Sequence, residues 1–121
     1  MIRYAVPDEK EIILNLFNTC FPGESKFANW FFDKVYKTEN TLVYEDGGRI
    51  IAALQMIPVR LTDGKNEYTS SYLYGVGTLP EYRGKGIMAQ VINHSFEIDS
   101  FNLLRAILVS AAVSPSRYAI S

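Results

Sequence analysis

The stretch that decides the fold is Thr78-Leu79-Pro80-Glu81-Tyr82-Arg83-Gly84-Lys85-Gly86-Ile87-Met88. It follows an apolar, strand-like run at residues 71–77 and leads directly into a helical pattern at residues 87–96. A glycine-bearing basic turn between a strand and a helix N-terminus is a recurring way of holding a phosphorylated ligand on backbone N–H groups. The first amides of such a helix have no intrahelical acceptor, and the two glycines let a ligand approach the backbone. The spacing therefore predicts an anion site, to which Arg83 and Lys85 supply cationic donors.

The composition is that of one globular domain. The chain has 121 residues, of which 48% are apolar and 21% are charged, and its net charge is −1. This charge gives no support for a nucleic acid or an anionic membrane as partner, because both call for a basic surface. No apolar run reaches the ~20 residues of a membrane span, and the N-terminus lacks a signal-peptide core. The single cysteine, Cys20, excludes an internal disulfide framework, and we expect a reducing, cytoplasmic location.

Two helices are predicted near the N-terminus, after a short strand at residues 2–6. Asp8 is expected to cap the first helix, with Glu11 as its capping-box partner. The inward face of this helix is predicted from the helical spacing of its apolar residues, namely Ile12, Ile13, Leu16, Phe17 and Cys20. A second helix opens at Glu24 or Ser25 and runs to about residue 37. Its aromatic cluster, Trp30-Phe31-Phe32, is read either as core or as the wall of an acceptor site.

From Asn40 onward the spacing of the apolar residues changes from that of a helix to that of an extended strand. Strands are predicted at residues 41–45, from 49 to about 58 with an extension to 61, and from 67 to as far as 78. Asp46-Gly47-Gly48 forms the first hairpin turn, since glycine reaches a positive φ without steric cost. A helix at residues 86–99 and a last strand at residues 103–110 follow. The order βαα–βββ–α–β predicts an α+β fold, with a mixed, mostly antiparallel sheet flanked by helices.

This order, together with residues 76–87, resembles the acyl-CoA-binding core of the GNAT superfamily of N-acetyltransferases. The signature of that superfamily is Arg or Gln, two residues, Gly, one residue, then Gly or Ala. Arg83, Gly86 and Met88 occupy those places, so Met88 departs from the pattern and is expected to narrow the site. The opening helix pair and the helix after Gly86 also resemble bacterial members of the enhanced-intracellular-survival type.

The resemblance implies a binding role for two groups of residues. The turn residues, which bind the CoA diphosphate in the family, are Arg83, Gly84, Lys85, Gly86, Ile87 and Met88. The preceding strand pairs with the pantetheine arm, and its residues are Val76, Gly77 and Thr78. A linear ligand that carries amides can satisfy a sheet edge that would otherwise stay unpaired.

The implied reaction is acetyl transfer from acetyl-CoA to a primary amine, by direct attack in a ternary complex. Strand amides polarise the developing oxyanion, and no protein nucleophile or metal is expected. Gln55 stands on the strand where many relatives carry a catalytic or water-holding carboxylate, and it cannot act as a base. Tyr118 lies at about the right distance to be the residue that protonates the departing thiolate, although a terminal aromatic without a catalytic role is the alternative. His94 is read as a partly exposed surface residue rather than a base.

The resemblance also implies that residues 1–121 form a single, incomplete domain, since members of the family continue with a helix and two further strands. We therefore expect either a fragment of a larger transferase or missing strands supplied by another chain, as in a homo-oligomer. Two alternatives stay open. The chain could be a truncated domain that binds CoA without turnover, or a structural domain whose turn binds nothing.

Overall fold

The structure, a computed structural model, describes residues 1–62 and 64–98 of the chain. Its strands are β1 (Ile2–Tyr4), β2 (Thr41–Asp46), β3 (Arg49–Thr62) and β4 (Glu67–Thr78), and its helices are α1 (Lys10–Cys20), α2 (Ser25–Lys34) and α3 (Ile87–Ile98). Short 3-10 turns lie at Pro7–Glu9, Thr38–Asn40 and Pro80–Tyr82. The α+β class and the order βαα–βββ–α are confirmed. The predicted last strand, residues 103–110, lies outside the described residues.

The four strands form one antiparallel sheet in the order β1-β2-β3-β4. The first hairpin turn is confirmed, but its loop has two residues rather than three, because Asp46 belongs to β2 and pairs with Arg49. Its residues Gly47 and Gly48 have φ values of 57° and 84°, which suit the tight turns that match strand twist. β3 is longer than β2 and continues along β4 alone, as far as the pair Thr62 and Glu67.

Helices cover both faces of this sheet. Consecutive β3 residues from Ile50 to Leu54 are buried, which requires cover on the two faces to which alternate side chains point. α1 packs against α2, β3 and β4, whereas α3 packs against β2, β3 and β4. Within the described residues α3 makes no comparable contact with α1 or α2, so we place it on the opposite face. The core lies in the two layers between the helices and the sheet.

The start of α1 differs from the prediction. The helix begins at Lys10, after a 3-10 turn whose N-cap is Val6. The Val6 N–H donates to Glu9 Oε1 at 2.9 Å, and the Glu9 N–H donates back to the Val6 carbonyl at 3.0 Å. The prediction that Asp8 and Glu11 form the cap was wrong, because the 3-10 turn begins at Pro7 and its N-cap Val6 lies two residues before Asp8. Glu9, three residues after Val6, is therefore the capping-box partner.

The inward faces of α1 and α2 are predicted in part. Ile13, Leu16 and Phe17 are buried, but Ile12 is 51% exposed, so its assignment to the inward face was wrong. On α2, Phe31 and Phe32 are buried, which confirms the core reading for those two. Trp30 is 53% exposed and has only Phe27 as a neighbouring ring among the described aromatic pairs, at 5.7 Å between ring centroids, so the core reading fails for it. Helical spacing turns position 30 away from the sheet while positions 31 and 32 face it.

Candidate functional site

A bulge breaks the strand that leads into the glycine turn. Ala53 pairs with Gly77 and Gln55 pairs with Tyr74, so β4 has one more residue than β3 over this interval. Gly75 has a φ of 61°, which a residue without Cβ adopts at no steric cost. A bulge bends its strand and increases the local twist. The end of β4 therefore changes direction just before the turn.

At the end of β4 the backbone N–H and C=O groups of successive residues point alternately toward β3 and toward the opposite, unpaired edge of the strand. The Leu79 N–H donates to the Ile51 carbonyl at 2.8 Å, so Leu79 and Gly77 direct their polar groups toward β3. Thr78 directs its N–H and C=O groups toward the opposite edge. Val76 lies within the bulge. Of the three strand residues that the resemblance assigned to the pantetheine arm, Thr78 thus has an edge position and Gly77 does not.

The two glycines of the turn are required by backbone conformation. Gly84 and Gly86 have φ values of 80° and 76°. A Cβ at either position would meet nothing within 4 Å, so the surroundings are open. Residues with a side chain rarely adopt this left-handed conformation. Both glycines therefore shape the turn, and they leave its outer surface open to a ligand.

The turn ends at a helix N-terminus with unsatisfied donors. The first α-helical hydrogen bond of α3 runs from the Gln90 N–H to the Gly86 carbonyl at 3.2 Å. The N–H groups of Ile87, Met88 and Ala89 therefore have no intrahelical acceptor. The helix macrodipole adds about half a positive charge at the same place. This geometry suits an anion held on backbone amides.

Arg83 does not simply extend from the turn into solvent. Its Nε donates to the Thr78 carbonyl at 2.8 Å, and the Cys20 Sγ donates to the same oxygen at 3.4 Å. Burial raises the pKa of the Cys20 thiol, and the nearby Arg83 offsets this only in part, so the thiol is neutral at pH 7. No local pattern indicated this contact, because Cys20 precedes Thr78 by 58 positions and was assigned only to a helical apolar stripe.

Lys85 is exposed beside an aromatic ring. Its Nζ lies 5.5 Å from the centre of the Tyr82 ring, and the Arg49 guanidinium approaches the same ring at 5.7 Å. Arg49 also approaches Glu81 at 3.8 Å, but both side chains are more than half exposed, and such pairs contribute little. Lys85 and Arg49 together give this side of the turn a local positive charge, in a chain whose net charge is −1.

The last two residues of the predicted motif face inward. Ile87 is 7% exposed and Met88 is fully buried, so both side chains belong to the core. The expectation that Met88 narrows the site was wrong, since only its backbone is at the turn. The helical geometry that buries its side chain leaves its N–H among the free donors of the first turn.

Three residues were considered for proton transfer, namely Gln55, His94 and Tyr118. Gln55 is 3% exposed and stands opposite the bulge, on the face of the sheet where Phe17 packs. His94 is half-buried on α3, as expected for a residue near the surface. Tyr118 lies outside the described residues. Within residues 1–62 and 64–98 no three His, Cys, Asp or Glu side chains cluster as metal ligands would, and no helix there has the length and apolarity of a membrane crossing.

One protein-family model matches almost the whole chain. The model of the acetyltransferase (GNAT) domain family matches residues 1–117. Because this match includes nearly the whole chain, the protein belongs to the GNAT acetyltransferase domain family. Among curated protein sequences no significant match was found.

Solved structures share the fold at low sequence identity. A GCN5-related N-acetyltransferase from Anabaena variabilis has a TM-score of 0.67 and 23% identity over 83% of this chain and 26% of its own. Eis1 from Mycobacterium abscessus has a TM-score of 0.68 and 17% identity over 83% and 25%. A GNAT family acetyltransferase from Brucella melitensis, in complex with acetyl-CoA, has a TM-score of 0.61 and 21% identity over 92% and 69%. The chain thus spans about a quarter of the length of the first two.

Proposed function

We propose that this chain forms the acyl-CoA-binding part of an N-acyltransferase that transfers an acetyl group from acetyl-CoA to a primary amine. The observation that carries the proposal is the junction at Gly86, where a bulged strand, a left-handed glycine turn and a helix N-terminus meet. Membership of the GNAT family supports the reaction class. The acetyl-CoA in the Brucella melitensis structure supports the donor, because that protein has the same fold.

The donor would lie along the end of β4 and over the turn. The diphosphate would accept hydrogen bonds from the turn amides and from Ile87, Met88 and Ala89, with Lys85 adding a mobile positive charge. The pantetheine arm would continue along β4, where the Thr78 N–H faces the edge away from β3, while the Thr78 carbonyl is already bonded to Arg83 and Cys20. The thioester would then lie near the bulge at Gly75 and Val76.

The proposed chemistry needs no covalent enzyme intermediate. The neutral amine attacks the thioester carbonyl, a C–N bond forms, the C–S bond breaks, and CoA leaves as a thiolate that takes a proton. A strand N–H at the bulge would stabilise the developing oxyanion. Gln55 has no proton to exchange at neutral pH, so the amine would lose its proton to water. Tyr118 stays a candidate for protonating the thiolate.

A second candidate function is CoA binding without turnover. It is favoured by the groups around the end of β4 in the described residues, since neither Gln55 nor the neutral Cys20 thiol can act as a base at pH 7. Under this reading the anion site would be complete and the catalytic groups would be absent.

Two measurements on the 121-residue chain separate the possibilities. Isothermal calorimetry with CoA should show binding by the parent protein, and Arg83→Glu should weaken it at least tenfold. Absence of binding by the parent, or equal binding by Arg83→Glu, would contradict the proposed function. Release of free thiol from acetyl-CoA with a panel of primary amines would then support catalysis, whereas binding without thiol release would support the second candidate.

A further inference from the structure

We propose that Arg83 and Cys20 are positioning residues of the proposed CoA site: their side chains hold the Thr78 carbonyl and thereby set the direction in which β4 enters the glycine turn. The inference rests on the proposed function, because the site being positioned is the proposed diphosphate site. Under this inference Arg83 orients the strand and the turn, whereas its place in the motif suggests that its charge binds the diphosphate directly.

The two donors converge on one oxygen from opposite parts of the chain. Arg83 Nε lies 2.8 Å from the Thr78 oxygen, and Cys20 Sγ at the end of α1 lies 3.4 Å from it. A carbonyl oxygen has two lone pairs and accommodates both donors. Thr78 is 1% exposed, and the arrangement satisfies a carbonyl that β3 does not reach. The end of a helix, the end of a strand and the turn are thus joined at a single atom.

Packing holds Cys20 in place for this contact. A Cβ on Gly77 would lie 2.9 Å from Cys20 Sγ and 3.1 Å from Cys20 Cβ, so α1 ends directly against the strand backbone. Only a residue without a side chain at position 77 allows this approach. The thiol is therefore fixed beside the carbonyl by steric fit as well as by its hydrogen bond.

Charge and geometry distinguish this role from phosphate binding. Burial raises the pKa of the Cys20 thiol and so keeps it protonated, and only a protonated thiol can donate a hydrogen bond. The Nε of Arg83 is nearest to the backbone of its five N–H donors, and its bond to Thr78 sets the plane of the guanidinium. The side chain is thus oriented by the strand that it holds, and the amides that follow take their positions from that strand.

Two substitutions of Arg83 give opposite expectations. Arg83→Gln removes the charge but keeps an N–H the same number of bonds from Cα as Nε. Arg83→Lys keeps the charge but moves the donor one bond farther out. The proposal predicts that Arg83→Gln binds CoA within about threefold of the parent, whereas Arg83→Lys and Arg83→Ala bind about fivefold to tenfold more weakly, as expected for a lost hydrogen bond. Affinities are measured by calorimetry, and thermal unfolding verifies that each variant is folded.

A matched pair at Cys20 tests the second donor. Cys20→Ser keeps a donor at the γ position and Cys20→Ala does not, and neither side chain is larger than cysteine, so neither crowds Gly77. We expect Cys20→Ser to bind CoA about threefold to fivefold more tightly than Cys20→Ala. Equal affinities of folded variants would overturn the role of Cys20.

The outcomes separate this inference from the proposed function. Retained affinity in Arg83→Lys with a tenfold loss in Arg83→Gln would show that the charge matters, and would overturn the inference while the CoA site stands. Failure of the parent protein to bind CoA would overturn both.

Discussion

The side-chain oxygen of Gln55 occupies the space that a Cβ on Gly75 would need. Gln55 is on β3 and Gly75 is in the bulge of β4, so the two residues pack across the irregular part of the sheet. The ring of Phe17 lies 3.4 Å from the same hypothetical Cβ. The bulge at the proposed thioester position therefore depends on the absence of a side chain at residue 75 and on the size of the residue opposite.

Gly75→Ala should lower the free energy of unfolding by about 2–5 kcal/mol. About 1–2 kcal/mol comes from the left-handed backbone and about 1–3 kcal/mol from the overlap with Gln55. Gly23→Ala is the matched control, because Gly23 also has a positive φ but nothing within 4 Å, and should show the backbone loss alone. Denaturant unfolding measures both. Equal losses in the two variants would show that Gln55 does not restrict position 75.

Gly77→Ala should destabilise the protein by about 1–3 kcal/mol through overpacking alone, since Gly77 has no positive φ. The added methyl group would push Cys20 away and so disturb its contact with Thr78. The double variant Gly77→Ala/Cys20→Ala should recover part of the stability that Gly77→Ala loses, because the Sγ atom that the added methyl group would contact is absent. Denaturant unfolding of the two single variants and the double variant gives the coupling energy. Strictly additive losses would contradict the contact.

The ion pair of Arg3 and Glu9 should make stability depend on pH. Two bonds of 2.6 and 2.9 Å join these side chains, and Arg3 holds the pKa of Glu9 below its usual value. A lowered folded pKa means that the stabilisation is present above the unfolded pKa of about 4.3 and is lost as the pH falls through the folded pKa. Glu9→Gln should therefore lose about 1–3 kcal/mol at pH 7, and this difference should shrink below pH 4. Denaturant unfolding across this range gives the difference.

Exposed Glu97, for which the structure shows no ion pair among the described residues, provides the control for this pH dependence. Glu97→Gln should change stability by less than about 0.5 kcal/mol at either pH. A Glu9→Gln loss that stayed constant from pH 7 to pH 3 would assign the effect to packing rather than to charge.

The first hairpin should tolerate asparagine and reject a β-branched residue. Gly47 has a φ of 57°, which asparagine adopts more readily than other residues with a side chain. Gly47→Asn should stay within about 0.5 kcal/mol of the parent, and Gly47→Val should lose about 1–2 kcal/mol. Thermal unfolding ranks the two variants. Equal midpoints would mean that the turn relaxes to another type.

Local patterns predicted the elements but not the contacts between distant ones. Alternation and turn glycines located β2, β3 and β4, and the glycine turn located the start of α3. The run from Tyr72 to Gly77 reads as one regular strand, so the bulge was missed. Gly75 was its available signal, because an isolated glycine in a strand often marks a bulge.

Two other differences have their origin in tertiary packing. Whether Trp30 or its neighbours face the sheet depends on the rotation of α2, which helical spacing leaves uncertain by about one residue. The contact of Cys20 with Thr78 depends on where α1 ends against β4, and no local pattern encodes that distance. The strand and the turn of the candidate site were thus predictable, whereas the side chains that hold them together were not.

The proposed CoA site on the glycine turn is tested most directly by titrating the isotope-labelled chain with CoA and following its backbone amide NMR resonances. We expect the largest shifts at residues 84–89 and at Val76 and Thr78, with little change in β1, which lies at the opposite edge of the sheet from β4. Resonances that do not move, or shifts that concentrate away from the glycine turn, would contradict a CoA site built on these amides.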